Sequence, residues 1–107
     1  MDFHLTREQD LVRQMMQSFT ENEVKPIAAE TDETCTYPRE NIDHLFDLGV
    51  MGMIVPKEYG GAGSDDLCSA IAIEELSKQC ASTGDIVATH NGLCCGPIIA
   101  HGTEEQK

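Results

Sequence analysis

Residues 80–107 read CASTGDIVATHNGLCCGPIIAHGTEEQK, and this stretch decides how the rest of the chain is interpreted. Its small and apolar residues predict a buried helix that closes at Gly102. Thr103 followed by Gln106 is the pattern of a capping box, in which a hydroxyl and an amide begin a new helix. Only four residues follow Thr103, too few for a stable helix. We therefore expect the chain to be the front portion of a longer protein.

Four helical segments are predicted from apolar residues that recur every three or four positions. The predicted segments are residues 6 to about 33, 39–48, about 64–79 and 83–101. Pro26 should interrupt or restart the helix in the first segment, and Pro97 should kink the last. Gly49 should end the second segment in a left-handed conformation. Since there is no period-two alternation and no internal repeat, residues 1–107 are predicted to form one all-α domain, an orthogonal or up-down helical bundle.

The chain is acidic, with 19 Asp and Glu against 7 Lys and Arg and a net charge of −12. Binding to nucleic acid or to anionic membranes needs clustered cations, so neither is expected. No stretch reaches the roughly 18 apolar residues of a membrane span, and the N-terminal MDFHLTREQ shows no leader. We expect a cytoplasmic protein whose acidity is a solvated surface, with the attraction of a cationic partner as the alternative.

The cysteines are odd in number and lack the spacing of a small secreted scaffold, which predicts free thiols. They are Cys35, Cys68, Cys80, Cys94 and Cys95. His90 and Cys94 share a helix face, and with Cys95 and His101 they could be read as a zinc site, but no second ligand pair at finger or ribbon spacing follows. We therefore expect no metal, and thiols that pack as small apolar groups.

No self-sufficient catalytic set is recognisable in the sequence. The glycine cluster at 60–63 lacks the surrounding pattern of a phosphate-binding loop and predicts a turn with positive φ. Glu74 and Glu75 are adjacent on a helix, so their carboxylates point about 100° apart and cannot act together on one substrate atom.

One stripe of the last predicted helix remains a candidate binding surface. Asp85, Thr89 and Leu93 follow one another at intervals of four, so they lie on one face. Small residues surround them and permit close approach, namely Ala81, Ser82, Gly84, Ala88 and Gly92. What approaches is either a ligand or simply a neighbouring helix.

Several phrases of the chain, in order and nearly from end to end, resemble the N-terminal helical domain of the acyl-CoA dehydrogenases, closest to the short-chain (butyryl-CoA) branch. They are FTENEVKPIAAETD at 19–32, DLGVM at 47–51, VPKEYGGAG at 55–63, AIAIEELS at 70–77 and CASTG at 80–84, with Asn91, Leu93 and GPI at 96–98. The resemblance implies part of an enzyme that dehydrogenates a short-chain acyl-CoA and uses FAD. In the family the catalytic glutamate and most flavin contacts belong to later domains, so no residue here is assigned to either.

The resemblance also implies two surfaces on this domain. Asp85, Thr89 and Leu93 match positions that line the far end of the acyl pocket. Asp85 departs from the family's apolar or neutral residue, so it is hydrated or paired, or the acyl group is polar, or the register is shifted, since an unpaired buried carboxylate is costly. The second surface is an apolar patch that receives an electron-transfer flavoprotein. Its matching positions are Val12, Val50 and Ala62.

The expected partners are therefore an acyl-CoA substrate, an electron-transfer flavoprotein and, in the whole enzyme, further copies in a homotetramer. The fragment alone is expected to be inactive. The alternative from a different class is a free-standing all-α protein-interaction module without redox activity. A longer gene product with flavin absorbance would distinguish the enzyme from the module.

Overall fold

Residues 1–107 are all described by the computed structural model, which contains helices and no β-strand. The helices are α1 (Arg7–Phe19), α2 (Lys25–Thr34), α3 (Arg39–Asp47), α4 (Asp66–Ser77), α5 (Ala81–Ala88) and α6 (Gly96–His101). Two π-helical segments, Thr20–Val24 and Thr89–Cys95, join α1 to α2 and α5 to α6. Four continuous helical runs result, which confirms the all-α prediction. No helix combines the length and the apolar character needed to cross a membrane.

Both prolines that lie inside helical runs are preceded by a π-helical segment. Pro26 and Pro97 each follow the end of a π-helical segment by two residues. Proline lacks an N–H, and in a regular α-helix its ring collides with the carbonyl four residues earlier. In a π-helical turn the bonds reach back five residues, as from the Lys25 N–H to the Thr20 carbonyl, which gives the ring room. The helix is therefore widened ahead of both prolines, and the α-helical geometry restarts as α2 at Lys25, next to Pro26.

Side-chain caps begin two of the helices where the sequence placed them. The Thr6 hydroxyl accepts a hydrogen bond from the Gln9 N–H (3.2 Å), and Gln9 Oε1 accepts from the Thr6 N–H (2.9 Å). Asp65 caps α4 by accepting from the Cys68 N–H at 2.8 Å. At the end of α3, Gly49 has the predicted left-handed backbone with φ of 79°. These local signals are readable because each rests on residues within a few positions.

The chain ends in a single turn that carries the predicted capping box. The Thr103 N–H donates to Gln106 Oε1 (2.9 Å), and the Gln106 N–H donates to the Thr103 hydroxyl (3.3 Å). The Tyr59 hydroxyl donates to Glu104 at 2.7 Å, and the Lys107 ammonium lies 5.9 Å from the centre of the Tyr59 ring. The terminal turn is thus tied to the loop that precedes α4.

The core lies where α1, α3 and α5 meet α4 and the turn after α3. It is formed by Met16, Phe19, Val24, Ile42, Leu45, Val50, Met51, Met53, Cys68, Ala72, Leu76 and Val87. Leu11 and Phe46 belong to the apolar stripes of α1 and α3 but are 55% and 54% exposed. Each stripe is wider than the contact its helix makes, so the residues at its margin stay outside the core.

Helices α1 and α4 run in the same direction and share a buried carboxylate. Glu75 is 3% exposed, and its Oε1 accepts from Lys78 Nζ (2.8 Å) and Gln17 Nε2 (3.4 Å). Arg13 Nε lies 3.8 Å from the same oxygen. Glu74 is exposed on the adjacent face, so the two glutamates point apart, as predicted. Because Glu75 is paired on several sides, its burial is tolerated.

Candidate functional site

The stripe predicted from the sequence lies on one exposed face of the last helical run. Asp85 and Thr89 are exposed, and the Leu93 side chain is 76% exposed. The Thr89 hydroxyl donates to the backbone carbonyls of Asp85 (2.8 Å) and Ile86 (3.2 Å). Asp85 stands in solvent in this chain, so its carboxylate is hydrated and carries no cost of burial. The face therefore combines a carboxylate, a hydroxyl and a large apolar side chain.

A π-helical segment shapes this face. The Gly96 N–H donates to the carbonyl of Asn91, five residues earlier, which is the bond of a π-helical turn. Asn91 is 2% exposed, and its Nδ2 donates to the Val50 carbonyl at 2.9 Å. Its Oδ1 is buried without a hydrogen-bond partner. The sequence gives no sign of this role of Asn91, although Pro97 marks the place where a regular helix cannot continue.

The small residues around the stripe serve different purposes. A Cβ added at Gly84 would lie 2.0 Å from Ser77 Oγ and 3.3 Å from the Ile73 carbonyl oxygen, so Gly84 lets α5 approach α4. A Cβ added at Gly92 would meet nothing within 4 Å. Close approach by a neighbouring helix thus explains Gly84, whereas the space at Gly92 is open.

The three residues predicted for partner docking do not form one surface. Ala62 is exposed and Val12 is half-buried against the core. Val50 is 0% exposed and belongs to the core, so its side chain cannot line a surface patch, and that expectation is corrected. Its burial follows from its place in the turn after Gly49, where the chain folds back under α3 and its apolar side chain is removed from water.

The candidate metal ligands on the last run are only partly brought together. Cys95 Sγ lies 3.6 Å from His90 Nε2, whereas Cys94 and His101 are exposed. No group of three or more possible ligands is present. Burial, followed by the neighbouring Cys94, raises the pKa of the Cys95 thiol, which keeps it protonated and a poor metal ligand.

A cavity of about 620 Å³ lies between α2 and the start of α5, and the sequence did not predict it. Lys25, Cys80 and Ser82 are among its lining residues. Burial raises the pKa of the Cys80 thiol, but hydrogen bonds with Ser82 and Thr83 outweigh burial, and the net pKa is lowered. Cys80 is thus the thiol of this chain that ionises more readily than an ordinary cysteine.

Comparison with known proteins places this fold in a family. Residues 6–107 match the family model described as acyl-CoA dehydrogenase, N-terminal domain. The chain is 60% identical over 107 residues to the short-chain-specific acyl-CoA dehydrogenase of Clostridium acetobutylicum, and it spans 28% of that protein's length.

Two solved structures share both fold and sequence with this chain. The butyryl-CoA dehydrogenase of Megasphaera elsdenii is similar with a TM-score of 0.91 and 36% identity, over 99% of this chain and 28% of that one. A structure described for the electron-transferring flavoprotein of Acidaminococcus fermentans contains a chain with a TM-score of 0.95 and 40% identity, again over 99% and 28%. The family model and these similarities agree with the helices and caps described above. The chain belongs to the acyl-CoA dehydrogenase family, and its residues form the N-terminal domain of that family.

Proposed function

We propose that this chain is the N-terminal helical domain of a three-domain, FAD-dependent acyl-CoA dehydrogenase that acts on short-chain acyl-CoA. The observation that carries the proposal is the 60% identity, over the whole chain, to a short-chain-specific enzyme. Identity at this level over 107 residues supports a shared substrate class. The domain supplies a wall of the acyl pocket and a surface for the electron acceptor, and the reacting groups lie elsewhere in the protein.

The wall of the acyl pocket is the exposed face of Asp85, Thr89 and Leu93. Leu93 offers apolar area to an acyl chain, and its 76% exposure leaves that area free for a ligand. The Thr89 hydroxyl already donates to backbone carbonyls of the preceding turn. An apolar ligand beside it therefore does not leave the hydroxyl without a hydrogen-bond partner. Asp85 is the polar end of the face, and it disfavours acyl chains long enough to reach it.

FAD is held by parts of the protein outside residues 1–107. The glycine cluster is the place where a phosphate cradle would be sought, but it packs on its own chain. A Cβ added at Gly61 would lie 2.0 Å from the Val55 carbonyl oxygen, so the lack of a side chain serves an internal contact. Gly60 and Gly63 have φ of 87° and 62° and form a tight turn. Bound FAD would supply the hydride acceptor, and the role of this chain is to shape the substrate site.

The test uses the protein as its gene encodes it. The purified protein should show flavin absorbance that bleaches when butyryl-CoA is added. A colourless protein that leaves butyryl-CoA unchanged would contradict the proposed function.

The substitution Asp85→Val tests whether this face forms a wall of the acyl pocket. Removing the carboxylate should raise kcat/KM for longer, apolar acyl-CoA by about tenfold relative to butyryl-CoA. Asp32→Val is the matched control, because Asp32 is an exposed helical carboxylate on α2. An unchanged preference across chain lengths in Asp85→Val would remove Asp85 from the pocket.

We further propose that an electron-transfer flavoprotein docks near Ala62, with Val12 contributing its exposed part. Ala62 is exposed, and its N–H donates to the Gly52 carbonyl at 3.0 Å, which holds the loop in place. The similarity to a chain in a structure described for such a flavoprotein supports this choice of partner. A small apolar residue on a fixed loop suits the shallow contact of a transient redox complex.

Ala62→Glu should slow electron transfer from the reduced enzyme to such a flavoprotein, while reduction by acyl-CoA stays as fast as in the parent. Ala29→Glu on α2 is the control, since Ala29 is also exposed. If both variants transfer electrons at the parent's rate, the docking surface lies elsewhere. Assembly into a homotetramer is proposed for the whole protein and is measured by sedimentation.

A further inference from the structure

The exposed stripe has a spacing that would drift gradually around the surface of a regular α-helix. With 3.6 residues per turn, each step of four residues advances about 40° beyond a full turn. From Asp85 to Leu93 the drift would reach about 80°. A π-helical turn contains more residues, so four of its residues fall short of a full turn, and this opposes the drift. The segment Thr89–Cys95 therefore keeps the stripe together.

The buried side of the same run repeats the pattern. Thr83, Val87 and Asn91 are also spaced by four, and they are 0%, 1% and 2% exposed. One face thus stays in the protein and the opposite face stays outside it across the junction of α5 with the widened segment. The two faces hold their directions only if the widening occurs at this place in the helix.

Asn91 is the residue that fixes this place. Its carbonyl accepts the Gly96 N–H of the π-helical turn, and its side chain donates to the Val50 carbonyl at 2.9 Å. Val50 itself is fully buried in the core, so the acceptor cannot move away. A hydrogen bond between buried partners 41 positions apart ties the register of the helix to the rest of the fold.

Pro97 accounts for a widened helical turn before it, but it does not account for the direction in which the exposed face of Asp85, Thr89 and Leu93 points. The first π-helical segment also precedes a proline, and its side chains make no buried hydrogen bond comparable to that between Asn91 and Val50. A widened turn thus accommodates the proline in both segments, and Asn91 sets the orientation of the second one relative to α3 and the following turn.

We propose that Asn91 is a positioning residue for the acyl pocket, which sets the direction of Thr89 and Leu93 and thereby the acyl length accepted. This inference rests on the proposed function. Asn91 touches no substrate in this role and acts through the backbone of the π-helical segment. Losing its bond to Val50 should let the segment change register and turn Leu93 along the helix surface.

The test compares Asn91→Leu, which keeps the number and branching of the side-chain heavy atoms and loses the donor, with Gln9→Leu in the protein as its gene encodes it. Gln9 is the matched control, because it is also a buried amide that bridges two elements, 7% exposed and 2.9 Å from Asp65. Both variants should lower the Tm. Only Asn91→Leu should change the ratio of kcat/KM between butyryl-CoA and octanoyl-CoA, by about tenfold. An unchanged ratio, or an equal change in Gln9→Leu, overturns the inference.

A structural measurement separates this inference from the proposed function. Crystal structures of the parent and of Asn91→Leu should differ in the Gly96 to Asn91 bond and in the direction of Leu93. If both features persist in the variant, Asn91 does not position the stripe, whatever the protein oxidises. If Asn91→Leu does not fold, Asn91→Asp, which preserves the shape and places a carboxylate against the Val50 carbonyl, is judged by the same two measurements. A parent without acyl-CoA oxidation contradicts the proposed function alone.

Discussion

Gln9 Nε2 donates to Asp65 Oδ2 at 2.9 Å and so joins the N-termini of α1 and α4. Gln9 Oε1 accepts from the Thr6 N–H, and Asp65 Oδ1 accepts from the Cys68 N–H. The capping box of one helix is thereby continuous with the cap of another, 56 positions along the chain. Two local start signals therefore also fix how the two helices pack side by side.

Asp65 should make folding stability depend on acid pH. The hydrogen bond from the Cys68 N–H, followed by that from the Gln9 side chain, lowers the pKa of Asp65 below its ordinary 3.8. Because the folded pKa lies below the unfolded one, the stabilisation is present above 3.8 and is lost as the pH falls through the lowered value. In thermal melts, the decrease in Tm caused by Asp65→Asn should be largest at neutral pH and small at acid pH. Asp66→Asn, which removes the adjacent carboxylate, is the control, and an equal pH dependence in both variants would contradict the assignment.

Thr6→Ala should destabilise the fold by about 1 kcal/mol, because it leaves the Gln9 N–H in the first turn of α1 without its acceptor. Thr103 makes the same pair of bonds in an exposed turn. Thr103→Ala should therefore change stability much less. Urea denaturation of both variants measures the difference, and equal losses would show that the cap at Thr6 is not coupled to packing.

Gly84→Ala and Gly92→Ala should have opposite effects on stability. At Gly84 the added methyl group meets Ser77 Oγ at 2.0 Å, so we expect a loss of about 1–3 kcal/mol from overpacking. At Gly92 the methyl group meets nothing within 4 Å, and alanine should gain up to about 1 kcal/mol from reduced backbone freedom. Combining Gly84→Ala with Ser77→Ala should recover part of the loss. Equal effects of the two glycine substitutions in urea denaturation would refute the close approach of α5 to α4.

Tyr59 should ionise at a higher pH than an ordinary tyrosine in an alkaline titration. The hydrogen bond to Glu104, followed by burial and the charges of Glu104 and Glu58, raises the pKa of Tyr59 from 10.0 to about 12. Its folded pKa lies above the unfolded one, so the stabilisation is complete below 10.0 and is lost as the pH rises through about 12.

The measurement is tyrosinate absorbance in a Tyr37→Phe background, at pH values where circular dichroism shows intact helices. Glu104→Gln should lower the midpoint for Tyr59. If Glu104→Gln leaves that midpoint where it was, the bond between the terminal turn and the loop does not form in solution.

Local signals made much of the fold predictable. The helix start at Thr6 and the left-handed Gly49 each depend on a few neighbouring residues, and both occur as predicted. The exposure of Val50 could not be read in this way. An apolar residue after a helix is compatible with either a surface patch or the core, and only the path of the chain after Gly49 decides between them.

The widened turns were the main local feature that sequence patterns did not reveal. Pro26 and Pro97 indicate a departure from the regular helix. A break, a kink and a π-helical turn can each accommodate a residue that has no N–H. The choice depends on tertiary partners. At Asn91 that partner is the Val50 carbonyl, 41 positions away, a contact that no local pattern encodes. The stripe of Asp85, Thr89 and Leu93 could be proposed from spacing, whereas the residue that orients it could not.

Each widened turn also contains one residue more than the corresponding turn of a regular α-helix. A turn closed by bonds to the fifth residue back holds one residue more than a regular turn, so each such segment is equivalent to a single insertion in an α-helix. Deleting one residue from Thr89–Cys95 would close the turn but drive the ring of Pro97 into a carbonyl. The same deletion combined with Pro97→Ala should give an uninterrupted α-helix. Deletions and proline replacements should therefore occur together in homologues. The deletion alone brings the proline ring against a carbonyl, and the replacement alone leaves one residue more than a regular turn holds.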